Sequence, residues 1–244
     1  MRFVDSHLHL GGPDALQALA LASSNDTLLL TCGIDQESSW EGVNLAILTR
    51  TARAFVGVHP SEVLKEPALD WLPGALERAS GVGEIGLDPK YSPVGPGSTQ
   101  VRAFREQLEA AEHAAKPIQV HSRNAEEDCM EALSSFGLKS VLFHWFQDEG
   151  RLRRVQDRGY FVSFGPSLVY SKKLQRMAAD SARELVLTET DSPVAYVPLG
   201  GVSGPSLVPS VVFRLAELWE MTFEEARELV RQNAVRYLGS SEKG

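Results

Sequence analysis

The sequence predicts an α/β chain folded as a (β/α)8 TIM barrel, a single domain over residues 1–244. Three observations carry this expectation. Short apolar runs recur along the chain, with helical sequence between them. The runs are continuously apolar rather than alternating, as parallel strands covered on both faces are. Most of the histidines and several acids fall where those runs end.

The predicted strands are 2–4, 27–30, 53–58, 81–85, 117–120, 140–143, 159–164 and 184–187. Several are rich in Val, Ile and Phe, and all are short enough for strands. The clearest helix covers 99–115, where Val101, Phe104, Leu108, Ala111 and Ala115 recur at helical spacing. Pro117 stops it and opens the next strand. Closing helices are expected over 207–219 and 223–231, the second capped by Thr222. Eight strands with their helices in about 250 residues fit a barrel. A doubly wound open sheet is the alternative that periodicity alone does not separate. No composition shift or linker divides the chain. The segment 93–97 is an ordinary loop, and 198–209, rich in Gly, Pro and Ser, is a long loop expected to line the mouth.

Composition bounds the function. With 43% hydrophobic and 23% charged residues the chain can bury a sizeable core, which excludes disorder and collagen. A net charge of −8 argues against a protein that coats duplex nucleic acid through many phosphate contacts. It leaves room for a phosphate held locally by a metal and one or two Arg. No run approaches the roughly 18 apolar residues of a membrane span, and the N-terminus lacks secretory-signal features. Cys32 and Cys129 lie far apart and form no ligand-spaced pair. The expectation is a cytoplasmic protein with reduced thiols, no membrane association and no obligate protein partner.

The strand ends hold the chemistry. Strand one runs into Asp5-Ser6-His7-Leu8-His9, strand three into Gly57-Val58-His59-Pro60, and strand four into Glu84-Ile85-Gly86-Leu87-Asp88. Strand five runs into His121-Ser122-Arg123, strand six into His144, and strand eight into Glu189-Thr190-Asp191-Ser192-Pro193. In a barrel such ends converge on one face. His7 and His9 share one side of an extended strand, so both can reach one ion. Taken alone they are as readily two polar strand residues. Glu84, His121, His144 and Asp191 at equivalent positions change that reading. Four imidazoles and two carboxylates form a mixed nitrogen and oxygen set suited to Zn, Mn, Co, Ni or Fe, whereas Mg prefers fewer imidazoles. Six ligands exceed the three usual at one open zinc site, and two ions sharing a carboxylate would use them all.

Together these pieces resemble the TatD-family metal-dependent hydrolases, a branch of the amidohydrolase-like barrels known for DNase activity. The segment 233–238, Asn-Ala-Val-Arg-Tyr-Leu, is similar to that family's closing helix, so the matching motifs run from residue 5 to 238. The resemblance implies two divalent ions (Zn, Mn, Mg, Ni or Co). One would be held by His7, His9, Glu84 and Asp191, the other by Glu84, His121 and His144, with Glu84 bridging. Lys90 lies beyond the strand end and is not assigned the role of the carboxylated lysine used by other relatives. Ions held there would supply an activated water as nucleophile, with Asp191 expected as the catalytic base. Arg123 and the second ion would offset charge growing on a phosphodiester.

Other residues keep two readings. His59 either contacts substrate or supports the ligands, or it simply hydrogen-bonds a loop, and Asp88 is a loop cap or a site residue. Arg123 either binds phosphate or pairs with Glu126 or Glu127. Glu189, expected to point the same way as Asp191 on an extended strand, is a structural partner inside the barrel. His113 and the Glu224, Glu225 and Arg227 face are solvated. Trp145 and Phe146 either stack on a base or fill the core. Two mouth segments depart from the family: Cys-Phe-Ser-Gly after the sixth-strand His is replaced by residues 145–148, Trp-Phe-Gln-Asp, and 201–205 lacks the usual Arg-Asn-x-Pro stretch. The leading reading is a two-metal deoxyribonuclease acting on single-stranded DNA or another phosphodiester. The alternative keeps the metals but cleaves a carboxylic ester or amide, such as an aminoacyl-tRNA or a small metabolite. A non-catalytic binding barrel predicts missing ligands, and all six are present.

Overall fold

Eight parallel strands follow one another around a single sheet in chain order, β1 to β8, with no switch point. That order is a barrel's, and it excludes the doubly wound alternative. The computed structural model describes residues 2–239 except 13, 66, 67, 197 and 199. Residue 199 of the expected mouth loop and the extremes of the 1–244 domain therefore lie outside the described residues.

The strands are β1 (Phe3–Leu8), β2 (Thr27–Cys32), β3 (Ala52–Val56), β4 (Gly81–Gly86), β5 (Ile118–His121), β6 (Val141–Phe143), β7 (Phe161–Phe164) and β8 (Val186–Thr188). The helices are α1 (Ala15–Ser24), α2 (Gln36–Ile47), α3 (Leu72–Leu76), α4 (Thr99–His113), α5 (Glu126–Leu133), α6 (Leu152–Gln156), α7 (Lys172–Asp180), α8 (Val208–Trp219) and α9 (Phe223–Tyr237). β1 is twice the expected length, because Asp5, Ser6 and His7 are polar yet fully buried inside the barrel. An apolar-run reading stops at the first polar residue. α9 runs on from the expected end at 231 to Tyr237, since Ala234 and Tyr237 continue its buried stripe and Asn233 Nδ2 donates to the carbonyls of Arg183 and Val186. The segment 198–209 is not wholly irregular. A two-residue ribbon strand, β9 (Ala195–Tyr196), pairs antiparallel with β10 (Gly201–Val202), and a 3-10 turn (Pro205–Leu207) leads into α8.

Two apolar layers follow from strand alternation. The larger lies between sheet and helices, where Val56, Val82, Val120 and Phe143 belong to one cluster with Phe104, Leu108, Val155 and Leu215. The smaller fills the lower barrel with Leu30, Phe55, Leu142, Phe161 and Leu187 around Tyr237 of α9. Tyr237 stacks on Phe55, meets Phe161 edge-on, and donates its hydroxyl to the carbonyl of Ile118, the first residue of β5. Above this plug the interior turns polar. Among the described residues no helix is long and apolar enough to cross a membrane, and Cys32 and Cys129 are both free and buried.

The β8–β1 seam closes through polar groups. Thr188 Oγ1 donates to the Val4 carbonyl at 2.6 Å, and the buried Asp5 carboxylate accepts from Thr190 N at 2.8 Å and Thr190 Oγ1 at 2.6 Å. Beyond the strands, Asp191 N–H donates to the His7 carbonyl (2.9 Å) and His9 N–H to the Ser192 carbonyl (2.7 Å). The bonds that shut the barrel thus set His7, His9 and Asp191 side by side. Asp5→Ala strands two buried donors of Thr190, and the expected loss is about 3 kcal/mol in stability. Urea unfolding of metal-free protein measures it. A loss under about 0.5 kcal/mol, within the range of ordinary surface changes, would show that the seam does not rest on Asp5.

Candidate metal centre

At the C-terminal ends of the strands five histidines converge on one carboxylate. Glu84 Oε2 lies 3.6 Å from His7 Nε2 and 3.4 Å from His9 Nε2. Its other oxygen, Oε1, lies 2.7 Å from both His121 Nδ1 and His144 Nε2 and 3.5 Å from His59 Nε2. Asp191 Oδ1 completes the first group at 3.6 Å from His7 Nε2 and 3.5 Å from His9 Nε2. Asp191 reaches this position from a left-handed turn (φ 48°) just after β8, not from extended strand. Glu189 accordingly points elsewhere.

The neighbours of these rings settle which nitrogens face inward. His7 Nδ1 lies 2.6 Å from Gln119 Oε1, and His9 Nδ1 lies 2.9 Å from the Cys32 carbonyl. An amide oxygen and a carbonyl accept only, so each Nδ1 donates and Nε2 is left for the centre. His121 turns Nδ1 toward Glu84 and Nε2 toward Asp88 Oδ2 at 2.8 Å. His59 differs. The Ser61 backbone N–H donates to its Nδ1 at 3.1 Å, so the neutral ring carries its proton on Nε2. Such a ring is a donor toward the centre and a poor ligand, although His59, Glu84 and His121 lie close enough to form a ligand-type group.

Charge is arranged in complement. Burial alone would raise the Glu84 carboxyl, but His144, His59 and His121 hold it well below the usual carboxylate range. Burial opposes a charge on His9, yet its bonds to Asp191 and Glu84 carry it up to about 10. Asp88 and Glu84 likewise overcome burial at His121 and raise it to about 9. Burial, then the neighbouring His7, lowers His144 to about 4, and burial lowers His59 to about 4.

These residues fit a divalent metal. The ligand-type groups are His7, His9 and Glu84; His7, His144 and Asp191; and His59, Glu84 and His121. Four donors about 2.1 Å from an ion lie about 3.4 Å apart in a tetrahedron, close to the 3.4–3.6 Å spacings among His7, His9, Glu84 and Asp191. His7 Nε2 is fully buried with no hydrogen-bond partner. An unpartnered imidazole nitrogen that faces two carboxylate oxygens is what a metal ligand presents.

A sequence profile of the TatD related DNase family matches residues 4–239. The chain belongs to the TatD family. Similar curated proteins include an uncharacterized metal-dependent hydrolase, YabD, of Bacillus subtilis, 27% identical over 95% of this chain and 97% of its own. Another is deoxyribonuclease TATDN3 of Homo sapiens, 27% identical over 96% of this chain and 93% of its own. The crystal structure of YJJV, a TatD homolog from Escherichia coli, superposes with a TM-score of 0.86 at 24% identity, covering 98% of this chain and 99% of that one. Family and centre together make the protein a TatD-like metal-dependent hydrolase.

Every TatD ligand position expected from sequence (His7, His9, Glu84, His121, His144 and Asp191) reaches the centre, as does His59. Arg123 does not pair with Glu126 or Glu127. Its Nη2 lies 2.6 Å from Asp88 Oδ2, and its guanidinium lies over the Tyr91 ring. Three supporting residues were undervalued or missed. Asp88, buried, holds both His121 and Arg123. Glu189 accepts from Trp145 N–H and Ser163 Oγ and lies under His144 Nδ1 at 3.8 Å. Gln119 was overlooked, and its one signal was an amide between Ile118 and Val120 of an apolar strand. Phe146 packs in the core, whereas Trp145 lines a groove of about 1040 Å³ that opens from His121, His144 and Asp191. His113 is exposed, and Glu225 closes a capping box with Thr222.

Because His9 and His121 hold protons at neutral pH, an ion must displace them, so metal affinity rises with pH between 6 and 8, by about tenfold per unit for each proton released. Calorimetric titration with Mn or Zn in two buffers of different ionisation enthalpy reads the release. A dissociation constant unchanged across that range would contradict it.

Proposed function

We propose that this centre takes two divalent ions and hydrolyses phosphodiesters, with the ends of single-stranded DNA as substrate. The first ion would be held by His7, His9, Glu84 and Asp191, the second by Glu84, His121 and His144. The observation that carries the reading is the two-sided Glu84 carboxylate, each oxygen of which faces its own set of imidazoles. Ions held there supply Lewis-acid activation of water and of the ester at neutral pH.

The chain's own groups supply the rest. Burial opposes ionisation of Asp191, but its bond to His9 and the nearby His7 and His144 hold the carboxyl below the usual range. Asp191 is therefore a carboxylate at neutral pH, lines the groove, and is placed to accept the proton of the attacking water. Arg123, anchored by Asp88 and Tyr91, presents a pre-oriented guanidinium to a phosphoryl oxygen. His59 offers its Nε2–H to an oxygen of the substrate. What supports DNA as substrate is the family description and the name of the human relative. One observation favours the alternative, a carboxylic ester or amide: the groove carries Glu126, Glu127, Asp148 and Glu149, while its Arg123 and Arg151 already pair with Asp88 and Asp148.

End-labelled single-stranded DNA and an aminoacyl ester, each with Mg or Mn added, separate the two readings. The expected result is shortening of the DNA, with Asp191→Asn lowering kcat by about 10²–10⁴-fold. Arg123→Ala is expected to raise KM for DNA while sparing any ester hydrolysis. Intact DNA beside a cleaved ester would replace the phosphodiester reading with the alternative.

A further inference from the structure

Directly beneath the centre, a buried amide that belongs to no ligand set touches the machinery of His7, in β1, and of His9, just beyond its end. Gln119 is fully buried in the middle of β5, two residues before His121, so both side chains point into the barrel and Gln119 lies one layer deeper. Its Oε1 accepts from His7 Nδ1 at 2.6 Å and from Cys32 Sγ at 3.1 Å. The carbonyl of the same Cys32 accepts from His9 Nδ1 at 2.9 Å. Space for this arrangement comes from Gly83, where a Cβ would stand 2.8 Å from Gln119 Cβ and 3.4 Å from Cys32 Sγ. Gln119 Nε2, by contrast, is buried and turned away from His7, on the side of the Tyr237 hydroxyl.

We infer that Gln119 is a positioning residue that sets the tautomer of His7 and so keeps His7 Nε2 available to a metal. The argument is one of donors and acceptors. The Cys32 S–H donates to the amide oxygen and the amide nitrogen is turned toward Tyr237, so the atom facing His7 Nδ1 can only accept and His7 carries its proton there. Were the amide turned about, its NH2 would face His7 Nδ1, the imidazole proton would move to Nε2, and the lone pair aimed at Glu84 and Asp191 would be lost. Supporting partners of this kind set ligand orientation and basicity at metal sites. The inference rests on the metal-centre reading above, but its first readout is independent of any bound ion.

The experiment compares wild type with Gln119→Leu, which keeps the volume and removes the acceptor, and Gln119→Glu, which keeps an acceptor. Long-range proton–nitrogen NMR of metal-free, 15N-histidine-labelled protein reports the His7 tautomer. The Nδ1–H form is expected in wild type and in Gln119→Glu, and a mixed or Nε2–H form in Gln119→Leu. Titration with Mn is expected to show a dissociation constant raised about 10–100-fold in Gln119→Leu and changed only a few-fold in Gln119→Glu, with kcat of Gln119→Leu recovering at saturating Mn. Thermal unfolding controls for packing. An unchanged His7 tautomer in Gln119→Leu would overturn the inference, as would equal weakening of Mn binding by both variants. Loss of Mn binding by the wild type itself would instead refute the metal-centre reading while leaving the tautomer result to stand.

Discussion

One buried carboxylate organises the top of this barrel. Glu84 is almost wholly removed from water and lies within 3.6 Å of the imidazoles of His7, His9, His59, His121 and His144. Stripping an ionised carboxylate of water costs several kcal/mol, repaid only when charge and hydrogen bonds surround it closely. No single strand can supply that surround. β1 and the residue just beyond it bring two rings and β5 one, while the turns after β3 and β6 bring the others. The closed, sequential strand order is what lets all of them face Glu84 at once. Opening the sheet anywhere would leave the carboxylate buried on one side and unpaired on the other.

Beneath the ligands lies a layer of polar groups whose work is to hold the ligands still. Asp5 ties Thr190 across the seam, Glu189 pins the Trp145 backbone in a left-handed turn (φ 45°), and Gln119 fixes His7. Burial pushes Asp5 up to about 7 against its bonds from Thr190, and it lifts Glu189 well above the carboxylate range with help from Asp191. These acids are therefore poorly stabilised as charges. They are held by the apolar plug around Tyr237 below and the ligand cage above, so stability in the lower barrel supports order in the upper one. Side chains placed by such a layer keep their orientation, which is where much of the advantage of a rigid scaffold lies.

The fold and the residues that gather around Glu84 could be read from the sequence because both depend on local pattern. Parallel strands announce themselves as apolar runs, and His-x-His, His59 and His144 stand out because they fall where those runs give way to polar residues. What escaped reading depends on distance in the chain. Gln119 meets His7 across 112 residues and Asp5 meets Thr190 across 185, and no spacing rule links such pairs. Asp88 read equally well as a loop cap because its turn role is real: its Oδ1 accepts from Lys90 N–H while Oδ2 serves His121 and Arg123. The expectation that Glu189 and Asp191 share a direction failed because it assumed extended backbone through Asp191, which turns left-handed instead.

Charge outside the cage bears on how a substrate enters it. The groove rising from His121 and His144 is flanked by the acidic first turn of α5 (Glu126, Glu127 and Asp128) and by Asp148 and Glu149 beyond β6. Arg151 pairs with Asp148 and Glu127, Arg154 with Glu127 and Arg176 with Glu149, and Lys173 also lines the groove, so cations answer much of this wall. Within the roughly 8 Å Debye length at physiological salt, an incoming anion therefore meets mostly paired charges along the groove, with Arg123 and the imidazoles of His121 and His144 at its floor. On the proposed reading, the same pairs hold the groove's guanidinium groups in fixed directions, so a substrate phosphate would be met by donors already oriented rather than by free side chains.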